Sequence, residues 1–227
     1  MNRLDSFRHL WGENWCTGRF LLPELTRLGH ESGATVLDLA CGASPFRACF
    51  PKATRYIRFD RFHHDTDVII ADMTAIPLHS RSVDVILLCQ AISDCPNLVA
   101  ALTETHRVLK PGGRLILFES MDYPEHDMPH DYYRLLPAGL RLAATQADLS
   151  VHELVYLGGL GTRCATLWNT LFMGRILALP FIGFLGRFGI IFGNIFCYSL
   201  DAAMPHSRLA SNYLAVLTRP IDDQTSS

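Results

Sequence analysis

The chain has 227 residues, 49% of them hydrophobic and 19% charged, with a mean hydropathy of +0.16. That length supports one core without disulfides or a structural metal, and that composition excludes a disordered or collagen-like polymer. The 20 basic and 22 acidic side chains leave a formal net charge of -2, so no global field argues for nucleic acid as a partner.

The opening residues carry Asp5, Arg8, His9 and Glu13 rather than a basic tip and an apolar run, which argues against a secretory leader. Leu21, Leu22, Leu25 and Leu28 then recur at helical spacing before Gly29 and Gly33, so 1–33 reads as a helical N-terminal segment. Short β-rich runs follow at 36–39, 56–60, 68–72 and 83–88, with a fifth at 114–119 after the Lys110-Pro111-Gly112-Gly113 turn. A helix opened by Pro137 is expected over 137–147, a strand over 151–157 and a last strand over 213–218. Runs this apolar, spaced for βα units, predict an α/β fold with a largely parallel sheet covered on both faces by helices.

Between the last two strands lies an anomaly, because 167–200 contains only Arg175 and Arg187 as charged residues among Phe, Ile, Leu and Gly. Arg187 would stand in the middle of any membrane span, so two short helices broken near Pro180 and around 186–189 are expected instead. Such helices could pack on the protein's own core, dimerise or lie at a membrane surface. The polar tail from Asp222 onward reads as disordered. The seven cysteines form no C-x-x-C pair, which points to a reducing compartment without disulfides and to a cytoplasmic chain.

In an open α/β sheet, ligands bind beyond the carboxyl ends of the strands. The first strand ends Asp38-Leu39-Ala40-Cys41-Gly42-Ala43-Ser44-Pro45, with small residues that let a ligand approach the main chain. The second ends in Asp60, placed to accept hydrogen bonds from both hydroxyls of a ribose. Together they form a nucleoside-binding pattern.

The stretch 36–42, followed by Phe59-Asp60, 71–78, 82–86 and His106 to Gly113, resembles the class I S-adenosylmethionine-dependent methyltransferases of the type 11 kind. That resemblance covers roughly 34–157 with its motifs in the expected order. It implies a Rossmann-like, doubly wound, seven-stranded and mostly parallel sheet with a reversed last strand, and an apolar helical insert before that strand. One domain over 1–221 is expected, with a cofactor-binding core at 34–157, the insert at 158–210 and the last strand at 211–219. S-adenosyl-L-methionine is the implied cofactor. Asp38, Ala40, Cys41 and Gly42 would face its methionine part, Asp60 its ribose, Asp72 and Met73 its adenine, and Cys89 and Gln90 would lie beneath its sulfonium, with Arg61 also among the cofactor-binding residues. The family's turn usually alternates three glycines, whereas this chain has Ala40 and Ser44 in the outer two places.

For catalysis the loop after the fifth strand offers His130 or His126 as a base, oriented by Asp131 or Asp127, with Tyr132, Tyr133 and Arg134 walling the acceptor. A structural reading stands beside this one, in which 131–134 anchor the helix at Pro137 and Arg134 forms an ion pair. No metal is assigned to the His126 and His130 region, since Pro129 breaks any helix that would align ligands. The acceptor is expected to be a small molecule or a lipid- or glycan-linked group, with peripheral membrane contact through 167–200. The competing class is a methyltransferase-like binding module without catalysis, acting through the insert.

Overall fold

The computed structural model describes residues 8, 10, 12, 14–30, 33–63, 65–175, 182–204 and 209–221, with the backbone alone for 171–175 and 182–185. Pro180 and the tail from Asp222 lie outside the described residues. The elements run α1 (Trp15–Leu28), β1 (Thr35–Leu39), β2 (Arg55–Asp60), β3 (Val68–Ile70), β4 (Val83–Cys89), α2 (Leu98–Val108), β5 (Leu109–Ser120), α3 (Pro137–Gln146), β6 (Ser150–Leu157), α4 (Leu160–Arg175), α5 (Ile182–Ala203) and β7 (Asn212–Thr218).

The seven strands form one sheet in the order β3-β2-β1-β4-β5-β7-β6. The first five are parallel, with Val36 opposite Tyr56 on one side and opposite Val85 on the other. The amide of Gly112 reaches the carbonyl of Arg219, while the amide of Met121 reaches that of Ser211. The start of β5 therefore meets the end of β7, which is the reversed strand the motif order implies. Central strands are apolar on both faces, and Leu37, Phe59, Ile86, Leu87, Leu117 and Phe118 are buried among them. β3 is shorter than the 68–72 run suggests, because it forms an edge on which Ile69 and Ile70 are exposed.

β5 begins five residues earlier than expected, since the Lys110-Pro111-Gly112-Gly113 segment stays in the strand as an irregularity opposite Val83 and Val85. A Cβ at Gly113 would stand 2.8 Å from the Lys110 carbonyl and 3.1 Å from that of Asp84, so only glycine fits there. Lys110 in turn bonds both oxygens of Asp84, at 2.7 and 2.9 Å, and Asp84 accepts the Thr35 amide at 2.9 Å. Asn97 caps α2 by accepting the Ala100 amide, and buried Arg219 donates to the carbonyls of His106 and Leu109 at its other end.

The described chain clusters into two compact units. One comprises residues 29–119, 125–155 and 214 onward, and holds most of the sheet with α2 and α3. The other comprises residues up to 28, 120–124 and 156–213, including α1, α4 and α5. Within this second unit Gly161 is required by close helix approach, because a Cβ there would overlap the Cys197 carbonyl oxygen. Buried Asp201 of α5 caps α4, accepting from the amides of Gly159 (3.0 Å), Gly161 (2.6 Å) and Thr162 (2.8 Å) and from the Thr162 hydroxyl (2.6 Å). Buried Asn194 accepts from Asn169 at 3.0 Å and donates to the Leu10 carbonyl at 2.7 Å.

The expected break around 186–189 does not occur. α5 runs unbroken through Gly186 and Gly189, since an interior glycine costs only about 1 kcal/mol and the inward contacts of Ile190, Asn194 and Cys197 offset it. Among the described residues no helix is long and apolar enough to cross a membrane.

Candidate functional site

The site is built at the carboxyl ends of the central strands. After β1 the backbone takes left-handed conformations at Ala40 (φ 56°), Gly42 (φ 49°) and Ser44 (φ 49°). The chain thus adopts the alternating turn of a three-glycine loop even though two of the three residues carry a Cβ, each costing on the order of 1 kcal/mol. Support comes from Arg58, a buried cation of β2 that sequence reasoning missed. Its Nε donates to Ser44 Oγ at 2.7 Å and its Nη2 to the Gly42 carbonyl at 3.2 Å, while Nη1 pairs with Asp67. The only signal in the sequence was a charge in the middle of an apolar strand.

Asp60 closes the other side of the turn. One carboxylate oxygen accepts the Gly42 amide at 2.7 Å, and the other accepts the amides of Phe62 (2.7 Å) and His63 (2.9 Å). Burial works to raise its pKa, but these three N–H donors outweigh burial and hold it below the usual carboxylate range. It is therefore an anion aimed at the cradle. Asp38 behaves in the opposite way, because burial pushes its pKa up to about 6 against bonds from Ser44 and Tyr56 and the charge of Arg58. Tyr56 Oη donates to Asp38 Oδ2 at 2.8 Å, a second partnership the sequence did not reveal.

Asp72 lies just past β3, where its Oδ1 accepts from both the amide and the hydroxyl of Thr74, at 2.8 and 2.7 Å. Those bonds lower its pKa, and Arg61 stands 3.4 Å from Oδ2. The loop behind it is held by Arg107, which donates to the carbonyls of Leu78 (2.8 Å) and Ile76 (2.7 Å) and pairs with Glu104. Cys89 ends β4, and Gln90 follows in a left-handed conformation with its amide on the Phe118 carbonyl. Burial raises the thiols of Cys41, to about 11, and of Cys89, well above the ordinary value. Both thiols therefore stay protonated near neutral pH, which does not suit them to act as nucleophiles.

The segment after β5 crosses toward this cradle. The Tyr132 amide bonds the Ser93 carbonyl at 3.0 Å, and Tyr133 Oη bonds that of Pro96 at 2.5 Å, so both residues are anchored on the loop after β4. His130 lies 5.6 Å from the Phe62 ring, and its Nδ1 is 3.3 Å from Tyr132 Oη. Asp131 does not face His130. It accepts both guanidinium nitrogens of Arg134, at 2.5 and 2.7 Å, and the His126 amide at 3.0 Å, with His126 Nδ1 at 3.4 Å. The Arg134 bonds hold the Asp131 carboxyl well below its ordinary pKa. Of the two orientations open from sequence, the geometry pairs Asp131 with His126, and Asp127 is exposed. Among the described residues no cluster of three His, Cys, Asp or Glu is placed to hold a metal ion.

The strand order, the reversed β7 and the left-handed turn facing an acid at the end of β2 define the fold of the class I methyltransferases. A family model described as hypothetical methyltransferase matches residues 21–122. The ubiquinone/menaquinone biosynthesis C-methyltransferase UbiE of Methylobacterium nodulans is 31% identical over 125 residues, covering 53% of this chain and 47% of that protein. The malonyl-[acyl-carrier protein] O-methyltransferase of Methylococcus capsulatus is 35% identical over 114 residues, covering 43% and 41%. The chain thus spans about half the length of the curated relatives it matches. Among solved structures, the [4+2]-cyclase SpnF superposes with a TM-score of 0.61 at 16% identity, over 94% of this chain and 85% of that one. The resemblance to class I S-adenosylmethionine-dependent methyltransferases holds in both sequence and fold.

Proposed function

We propose that the chain is an S-adenosylmethionine-dependent methyltransferase acting on a small-molecule or lipid- or glycan-linked acceptor. One observation carries this reading: the Asp60 carboxylate and the left-handed 40–44 turn are joined by the Gly42 amide, which sets a hydroxyl acceptor beside a backbone cradle. The donor set fits the cofactor, since Asp60 Oδ2 accepts only the Gly42 amide and keeps a lone pair for a ribose hydroxyl, and Asp72 Oδ2, with Arg61 at 3.4 Å, is not used by Thr74. Ala40, Cys41, Gly42 and Asp38 would hold the methionine part, Arg61 and Met73 the nucleoside, and Cys89 and Gln90 the sulfonium end. When bound, the cofactor supplies an electrophilic methyl group. The chain aligns the acceptor and removes its proton.

His126 is the better-placed base, because a buried carboxylate orients its ring; His130 with Tyr132, Tyr133 and Arg134 forms the acceptor wall. The relatives' names, one for quinone biosynthesis and one for a malonyl carrier, support a small-molecule acceptor. A lipid-linked acceptor would be reached by peripheral membrane contact through 167–200.

Calorimetry with S-adenosylmethionine and its demethylated product tests the reading. Binding of both, weakened at least about tenfold in Asp60→Asn, is expected from the loss of one charge-assisted acceptor. A folded protein that binds neither would replace this function with a non-catalytic binding module.

A further inference from the structure

Both main-chain polar groups of Gly42 are tied to the segment after β2, each by a different route. The Gly42 amide donates to Asp60 Oδ2 at 2.7 Å, and Asp60 Oδ1 accepts the His63 amide at 2.9 Å. The His63 ring carries the route on, with Nε2 2.8 Å from Asp65 Oδ2. That same oxygen accepts Arg58 Nη2 at 3.3 Å, and Nη2 also donates to the Gly42 carbonyl at 3.2 Å. The circuit from Gly42 through Asp60, His63, Asp65 and Arg58 therefore closes on the residue where it began. It joins the turn after β1 to the segment after β2.

Arg58 is the member of this circuit that a simpler cation would not replace. It is buried in the middle of β2 between Ile57 and Phe59, where an unpaired charge would be costly. All three of its nitrogens are engaged: Nε with Ser44 Oγ at 2.7 Å, Nη1 with Asp67, and Nη2 with Gly42 and Asp65. Two of these partners belong to the turn, and the other two, exposed Asp65 and Asp67, follow β2. One planar guanidinium thus bridges both, whereas a lysine ammonium is a point charge that serves one side at a time. The turn needs the bridge, because Ala40 and Ser44 hold positive φ while carrying a Cβ and leave that conformation more readily than glycine does.

We propose that Arg58 is a positioning residue for the cofactor, a clamp that holds the 40–44 turn and the segment after β2 as one preformed cradle for a nucleoside bearing an amino-acid arm. Arg58 acts through Gly42 and Ser44 rather than by contact. Its effect falls on the arm, since Asp60 keeps the amides of Phe62 and His63 without Arg58, whereas the Gly42 carbonyl and the Ser44 hydroxyl lose the guanidinium. This deepens the cofactor reading above and rests on it for the ligand, while the clamp itself belongs to the free chain.

The test is calorimetry of the full chain with S-adenosylhomocysteine and with 5′-methylthioadenosine, which lacks the amino-acid arm. If R58M leaves the turn in its binding form about a tenth of the time, S-adenosylhomocysteine binds about tenfold more weakly, and methylthioadenosine is expected to lose less than about threefold. R58K keeps the charge without the fork, so a loss of at least about fivefold for S-adenosylhomocysteine is expected there too, and this variant carries the test if R58M does not fold. Each titration is run well below the variant's own unfolding midpoint. Wild-type affinities in the folded variants would leave Arg58 a structural role alone and overturn the proposal, as would equal losses for the two ligands. Hydrogen exchange of the free protein is read independently, and the Gly42 and His63 amides, both on Asp60, should exchange at least about fivefold faster in either variant. A wild type that binds neither ligand refutes the cofactor reading, and the amides then decide the clamp: faster exchange in the variants supports it and unchanged exchange overturns it.

Discussion

Arg58 Nε donates to Ser44 Oγ at 2.7 Å beneath the turn that follows β1. The hydroxyl thereby offsets the left-handed conformation that a side chain disfavours at this place. Ala40 has no such compensation, because its methyl has nothing to donate or accept. Ala40→Gly is therefore expected to stabilise the chain by about 0.5–1 kcal/mol, the relief of the strained φ less the added freedom of glycine in the unfolded chain. Ser44→Gly should destabilise by about 1 kcal/mol, since the same relief is outweighed by loss of a bond to a buried cation. Thermal unfolding of the two variants should shift in opposite directions by about 2–4 °C per kcal/mol.

Asp38 makes stability depend on pH in the direction opposite to a surface-paired acid. Its folded pKa of about 6 lies above the unfolded value of 3.8, so the folded state holds a proton that the unfolded state has released. Between about pH 4 and 6 stability contributed by this group falls as pH rises. The difference amounts to about 2–3 kcal/mol. Asp38→Asn, with Tyr56 still donating to the amide oxygen, should flatten that part of the denaturation profile between pH 4 and 7; an unchanged slope would refute the assignment.

Asp131 tests the opposite sign, because its folded pKa is depressed by Arg134. Its contribution is complete above the unfolded carboxylate pKa and is lost as pH falls through the folded one. Arg134→Met leaves a buried carboxylate with the His126 amide and ring as its remaining partners among those described above. Urea titration at pH 7 should show a loss of about 3 kcal/mol, partly recovered in the double variant with Asp131→Asn.

The two histidines of the acceptor loop differ in what orients them. His126→Asn should lower methyl transfer by about a hundredfold with cofactor affinity unchanged, the scale of a general base. His130→Asn, which removes a ring held by Phe62 and Tyr132, should raise KM for the acceptor and leave kcat within about threefold. The reverse ranking, read from steady-state kinetics, would make His130 the base.

Much of the fold was legible locally. The runs ending in Asp38, Asp60 and Cys89 are apolar strands whose order and punctuation are carried by neighbouring residues, and the turn after β1 is marked by small side chains whatever its glycine count. A charge partner carries no such local mark. Arg58 and Tyr56 turned inward to Ser44 and Asp38, and Asp131 took Arg134 and His126 rather than His130, because β2 and the loop after β5 meet their partners only once the sheet is assembled. The fate of the apolar insert was likewise decided by packing: its glycines permitted a break that the contacts of Ile190, Asn194 and Cys197 overrode. Composition marked 167–200 as greasy, and only the helical arrangement divided that surplus into a buried side and an exposed aromatic one.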